Sequence, residues 1–299
     1  MKRLPASRRK IISRRTLTTR SFVASLFVAA LALTGCTPTG DDRTEGSEQS
    51  KKVDATRIDT ISPSSGSLLG GETITFTGTG LTDVSSVVFG GVAAAPVAAA
   101  ENQLQVVAPA AVDYAVGAVS VTAASAEGEV IASAADYDYQ VVTAVDAQMQ
   151  YAFAHWQDYN EVWGVFPDND CGNFVNQTLV ARGWVQNDEW FSDWATTGDF
   201  SYSWARGPAM DEYFASQTDK ATRLSLEQRD QVKVGDVVMF DWDPARKNGV
   251  DHTMLVSKVD PASGAISLAG HTIDAQYRDF DHAITVENPG ATAWFYSIA

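Results

Sequence analysis

Apolar and polar positions change their period twice along this chain. Ser21 to Leu33 is a short unbroken apolar run. From Arg57 to Gln140 the pattern alternates in short stretches, Glu72-Thr73-Ile74-Thr75-Phe76-Thr77, Ser86-Val87-Val88-Phe89, Gln103-Leu104-Gln105-Val106-Val107 and Gly117 to Thr122, punctuated by Gly and Pro. Period-two segments at close spacing predict short antiparallel strands in a small all-β sandwich. From Ala144 the period lengthens. Val145, Met149, Ala152 and Trp156, with Phe153 beside them, form one stripe of a helix predicted over Ala144 to Trp156. A second helix is predicted from Cys171, with Phe174, Val175, Thr178, Leu179 and Val180 on its apolar face and Gly183 as its stop. Strands are then expected over Val237–Phe240, His252–Val259 and Ala265–Ala269, with turns at Val234-Gly235-Asp236 and Asp260-Pro261-Ala262-Ser263-Gly264. Helices followed by strands make 144–299 an α+β domain, so the chain reads as multidomain.

The N-terminus reads as a leader. Every charge before residue 36 is positive and lies between Lys2 and Arg20. The apolar run follows, and Leu33-Thr34-Gly35-Cys36 ends it with small residues. This anatomy is that of an export signal over 1–35, too short to span a bilayer. The last four residues resemble the bacterial lipobox, which implies acylation of Cys36 and attachment to the outer face of the cell membrane. Ser13-Arg14-Arg15-Thr16-Leu17 also resembles a twin-arginine motif, leaving Sec and Tat export both open. Residues 36–56 are polar and aperiodic, which suits a flexible tether.

Charge narrows the partners. Removing the leader's eight basic residues from a chain of net charge −15 leaves about −23. A surface this acidic excludes nucleic acid and any basic-patch adhesion to anionic lipids. The bilayer would be held through acyl chains alone.

Two family resemblances follow from quoted motifs. Ile61-Ser62-Pro63-Ser64-Ser65-Gly66, Gly70-Gly71-Glu72, Gly78-Thr79-Gly80-Leu81, Val88-Phe89-Gly90-Gly91 and Val107-Ala108-Pro109 resemble the IPT/TIG immunoglobulin-like family over 57–140. The resemblance implies a spacer or binding platform without a catalytic role. Asp170-Cys171-Gly172-Asn173-Phe174-Val175-Asn176-Gln177, Ala181-Arg182-Gly183, Val234-Gly235-Asp236-Val237-Val238, Asp251-His252 and Gly270-His271-Thr272 resemble the NlpC/P60 and CHAP superfamily, most closely its amidase-domain branch. That resemblance covers 144–299 and implies a papain-like α+β fold.

The chemistry centres on Cys171. The sequence has two cysteines, and lipidation of Cys36 would leave Cys171 unpaired in an oxidising compartment. Asp170 stands where an N-cap belongs, so the thiol falls at a helix N-terminus, whose N–H groups favour a thiolate and could hold an oxyanion. By resemblance Cys171 is the nucleophile, His252 the general base and His271 the group that orients the imidazole, with Asp251 and Asp274 as alternatives for the third position. No cofactor is implied. A zinc site from Cys171, His252 and His271 is chemically admissible but lacks short ligand spacing. His155 and His282 read as structural. The Tyr-x-x-Gly-Gly approach of many NlpC/P60 enzymes is absent, with Tyr159 and Trp163-Gly164 as rough stand-ins.

Between helix and strands lie Trp184, Trp190, Phe191, Trp194, Phe200, Tyr202 and Trp204. Such rings fill cores more often than they stack on sugars. The expected function is a surface lipoprotein that cleaves an amide through Cys-His-His, with peptidoglycan peptides as the substrate class. Acyl transfer on the same fold, and a non-enzymatic binder of wall glycan or protein, are the alternatives.

Overall fold

The alternation along Thr73–Thr79 is realised as a strand that buries Ile74 and Phe76 and turns its threonines outward. A computed structural model describes residues 55–299. The expected signal peptide, Cys36 and the tether up to residue 54 lie outside the described residues. Among those described, no helix is long and apolar enough to cross a membrane.

The first domain is an immunoglobulin-like sandwich. One sheet takes the order Arg57–Ser62, Thr73–Thr79, Gln103–Val107, Pro96–Ala100. A second runs Val130–Ser133, Val121–Ala124, Ser86–Phe89, Val92–Ala94, and a smaller third runs Ser65–Ser67, Tyr137–Gln140, Gly117–Val119. Ile74, Phe76, Leu104 and Val106 meet Val87, Phe89, Val121 and Tyr137 between them. The single strand expected over Gly117–Thr122 is two, Gly117–Val119 and Val121–Ala124, which pair in different sheets. A strand that changes sheets must break its ladder, and Ser120 is where it does so.

The second domain is mixed α/β. Its main helices are α1 (Ala144–His155), α2 (Cys171–Ala181) and α3 (Gly207–Ser216). Six strands follow: β1 (Ala221–Leu224), β2 (Val237–Asp241), β3 (His252–Val259), β4 (Ile266–Gly270), β5 (Ala275–Asp279) and β6 (Thr292–Ile298). They form one antiparallel sheet in the order β1-β6-β2-β3-β4-β5. Val237, Met239, Leu255 and Tyr296 share a core with Phe174, Val175 and Leu179 of α2. Val238, Phe240, Met254 and Val256 face a second cluster around Phe280. Burial on both faces explains why Val237–Phe240 of β2 and Met254–Val256 of β3 are apolar without alternation.

Helix α1 starts in a capping box. Thr143 Oγ1 accepts from Asp146 N at 3.0 Å, and Asp146 Oδ2 accepts from Thr143 N at 2.8 Å. The other oxygen of Asp146 reaches into the first domain, accepting from Ser67 Oγ at 2.6 Å and Leu69 N at 3.1 Å. Burial opposes ionisation of this carboxyl. The hydrogen bonds from Ser67, Val142 and Thr143 outweigh it and hold the pKa below the ordinary carboxylate value. One hydrophobic core runs from Leu68 and Tyr114 of the first domain into Met149 and Phe153 of α1. The two domains are therefore docked on each other.

Candidate active site

Cys171 opens α2 and is a buried free thiol. Its neighbour Gly172 lets the helix start approach the chain opposite, since a Cβ there would lie 3.3 Å from Trp204 O. Burial pushes the Cys171 thiol up. The N–H groups of Thr253, Gly172 and Cys171 itself work against that rise without cancelling it, and the Asp170 charge adds to it. The helix N-terminus was expected to favour thiolate. Desolvation wins here because the thiol is only 5% exposed.

Asp170 occupies the N-cap position but makes no capping bond with its side chain. Its Oδ2 lies 2.5 Å from His271 Nδ1, and its Oδ1 accepts from Phe166 N and Asn173 Nδ2, each at 2.9 Å. Asp170 N donates to Thr272 Oγ1 at 3.0 Å. His271 Nε2 is 2.7 Å from the backbone oxygen of His155. That oxygen can only accept, so Nε2 carries a proton and donates it. The imidazole is sandwiched between Tyr159, with ring centroids at 3.7 Å, and Phe174, at 4.2 Å. Tyr159 OH in turn donates to Asp274 at 2.7 Å.

His252 begins β3 in register with Phe240 of β2. Strand alternation sets it in phase with Met254, so its ring lies near Phe240 at 6.1 Å and Trp242 at 5.9 Å, away from the α2 face. Burial and the Arg278 cation push its pKa down to about 4. Its Nε2 is buried and has no hydrogen-bond partner.

These contacts bear on two expectations. His271 does not orient His252, because both of its ring nitrogens are taken by Asp170 and His155. It locks the start of α2, the segment that carries the thiol. No hydrogen bond joins His252 Nε2 to Cys171; the thiol instead meets the backbone N–H of Thr253, the next residue along. Asp251 is committed to its own loop, accepting from Trp242 N at 2.8 Å and Asn248 Nδ2 at 2.7 Å. The roles of Asp170 and Tyr159 in holding His271 escaped the sequence analysis. Asp170 is adjacent to the thiol, but its partner is a hundred residues away.

The rest of the motif organises the aromatic stretch. Asn173 Oδ1 accepts from Trp204 Nε1 at 2.7 Å, and Asn176 Oδ1 from Trp190 Nε1 at 2.9 Å. Trp190 and Trp204 are fully buried. They are core residues, as their ring type favoured, and offer no platform to a glycan.

The chain thus joins an immunoglobulin-like sandwich to an α/β domain that carries a buried thiol at a helix start and a histidine-bearing antiparallel sheet. The family described as Putative amidase domain matches residues 138–296, more than half of the chain, and the chain belongs to it. The IPT/TIG domain family matches residues 56–140. No curated protein matches the chain. Similar solved structures include an auxiliary nutrient binding protein from Bacteroides thetaiotaomicron VPI-5482, 25% identical over 29% of this chain and 21% of that one, with a TM-score of 0.23. A Bacteroides ovatus mixed-linkage glucan utilization locus protein, in complex with a mixed-linkage heptasaccharide, is 20% identical over 29% of this chain and 22% of that one, TM-score 0.23. The plexin A4 extracellular region is 21% identical over 35% and 12%, TM-score 0.28. The chain spans about a fifth or less of the length of these structures.

Proposed function

We propose that this protein is a cysteine amidase or peptidase in which Cys171 is the nucleophile and His252 the proton acceptor. The observation that carries the reading is a buried free thiol at the first turn of α2, one backbone N–H away from a histidine whose Nε2 has no partner. The order of a cysteine-bearing helix, then histidine-bearing strands of an antiparallel sheet, supports a papain-like arrangement of the NlpC/P60 type.

In the substrate-free state the thiol and the imidazole are both neutral, which leaves His252 Nε2 ready to accept a proton. Substrate binding must re-aim His252, at the first position of β3, from the Phe240 face towards Sγ, while the start of α2 stays fixed; catalytic hydrogen bonds often tighten only in the complex. Sγ attacks the amide carbonyl carbon as its proton passes to His252. The N–H groups at the start of α2 hold the oxyanion. The C–N bond breaks, the leaving amine takes the proton from His252, and a thioester remains on Cys171. Water, deprotonated by His252, releases the acid and restores the thiol. Asp170 and His271 hold the helix start in place throughout.

Peptidoglycan peptides at the outer face of the membrane are the proposed substrates, with Cys36 acylated as the anchor. The intact protein and a Cys171→Ala variant should be incubated with peptidoglycan peptides and followed by mass spectrometry. Release of a new amine by the former alone, with an acid-trapped acyl adduct on Cys171, is the expected result. Equal release by both, or none by either, would refute the reading. Labelled palmitate incorporated by the wild type and lost in Cys36→Ala tests the anchor.

A further inference from the structure

The immunoglobulin-like domain reaches the two elements from which both site histidines are held. Between β3 and β4, Val256 pairs with Leu268 and Lys258 with Ser267, so Ser257 is the extra residue of a β-bulge. A bulge leaves one residue outside the ladder, and Ser257 is fully buried, so its carbonyl needs a donor from elsewhere. That donor comes from the other domain: Tyr114 OH lies 2.5 Å from Ser257 O. The Ser257 hydroxyl closes the bulge on the far side by donating to Gln276 O of β5 at 2.6 Å.

Tyr114 is well anchored for this. It is 6% exposed, and its ring packs edge-on against Phe153 of α1 at 4.8 Å. Asp113 and Tyr114 both take φ near 50°, a conformation that non-glycine residues rarely adopt and that surrounding structure must enforce. The same domain grips α1 through Ser67 and Leu69 on Asp146. Helix α1 ends at His155, whose carbonyl holds His271, and β3 begins at His252.

We propose that Tyr114 is a positioning residue for the hydrolase, and that the immunoglobulin-like domain is a working part of the catalytic unit through the Tyr114–Ser257 bond. The inference rests on the cysteine-hydrolase reading for its activity readout, but not for its other two. Without the tyrosine hydroxyl the bulge loses its donor, and β3 gains freedom in the segment leading to His252 and the Thr253 N–H that faces the thiol.

The test uses the intact protein, a Tyr114→Phe variant, and Val87→Ala as a control that weakens the immunoglobulin-like core away from the interface. Calorimetry of the wild type should show one unfolding transition for the two domains. Tyr114→Phe should lower kcat about tenfold with little change in KM, about 1.4 kcal/mol of barrier. It should also speed alkylation of Cys171 by iodoacetamide at least about threefold, through local opening of the strand. Val87→Ala should do neither at temperatures where it is folded. Two separate transitions in the wild type, or a Tyr114→Phe protein indistinguishable from Val87→Ala, would overturn the proposal. An alkylation response without any amide hydrolysis would remove the hydrolase reading and leave the positioning role standing.

Discussion

Asp170 Oδ2 lies 2.5 Å from His271 Nδ1, and through that hydrogen bond the residue before the thiol is tied to the end of β4. The pair is almost fully buried, at 3% and 1% side-chain exposure. A helix start held this way cannot swing when substrate enters. It is a rigid mount for the proposed nucleophile, built from a side chain that makes no capping bond to the helix.

Breaking this pair should be costly. Asp170→Ala leaves His271 Nδ1 and Phe166 N without an acceptor in the interior and takes from Asn173 Nδ2 one of its two, the other being Gly164 O. The expected loss is about 3–5 kcal/mol of stability, read from urea midpoints. Asp170→Asn keeps the shape and should lose less. Equal stability of all three proteins would show that the pair does not hold α2.

The pH dependence of stability should carry the mark of His252. Its pKa is about 4 folded, against an ordinary value of 6.5. Between those values the unfolded chain binds a proton that the native state does not, so stability falls as pH drops from 6.5 towards 4. The loss reaches about 3 kcal/mol once pH is below the folded value. Urea titrations across that range should be flatter by about that amount in His252→Leu. A wild type whose stability does not change between pH 6.5 and 4 would contradict the burial of a neutral imidazole.

Cys171 should behave as a protected thiol until the site opens. Its pKa is raised, so alkylation by iodoacetamide should climb only above the ordinary thiol range near 8.5, with no reactive plateau at pH 6 to 7. Mild urea should accelerate it. A fast reaction at pH 6 in the folded, substrate-free protein would mean a preformed thiolate.

Gly235 should not tolerate a side chain. Its φ is +88°, and a Cβ would come within 2.6 Å of Gln148 Oε1 and 2.8 Å of an Arg182 nitrogen. Those groups are themselves bonded at 2.8 Å, and Gln148 Nε2 also donates to Gly235 O at 3.1 Å, so neither can retreat freely. Gly235→Ala should cost about 2 kcal/mol or more, seen as a lowered thermal midpoint.

What the amino-acid sequence determined by itself was local. Alternation placed Ile74 and Phe76 in a strand, and the i, i+4 stripe of Val145 and Met149 placed α1. The motif at Cys171 located a helix start that the structure puts at the same residue. These follow from periods and caps that act within a few residues of each other.

The partners of the site side chains were decided only by tertiary structure. Asp170 is a sound N-cap residue by type, yet His271, 101 positions away, presents a nitrogen that competes for its carboxylate. His252 lies at the start of a well-predicted strand, but which face it takes depends on the register of β3 against Phe240. Cys171 had a helix terminus to lower its pKa, and the depth of burial reversed the sign. Ser257 gives no sign in sequence that its carbonyl waits for Tyr114, 143 positions earlier. Hydrogen-bond choice, facing and desolvation are properties of packed neighbours, and packing brings together residues that no local pattern connects.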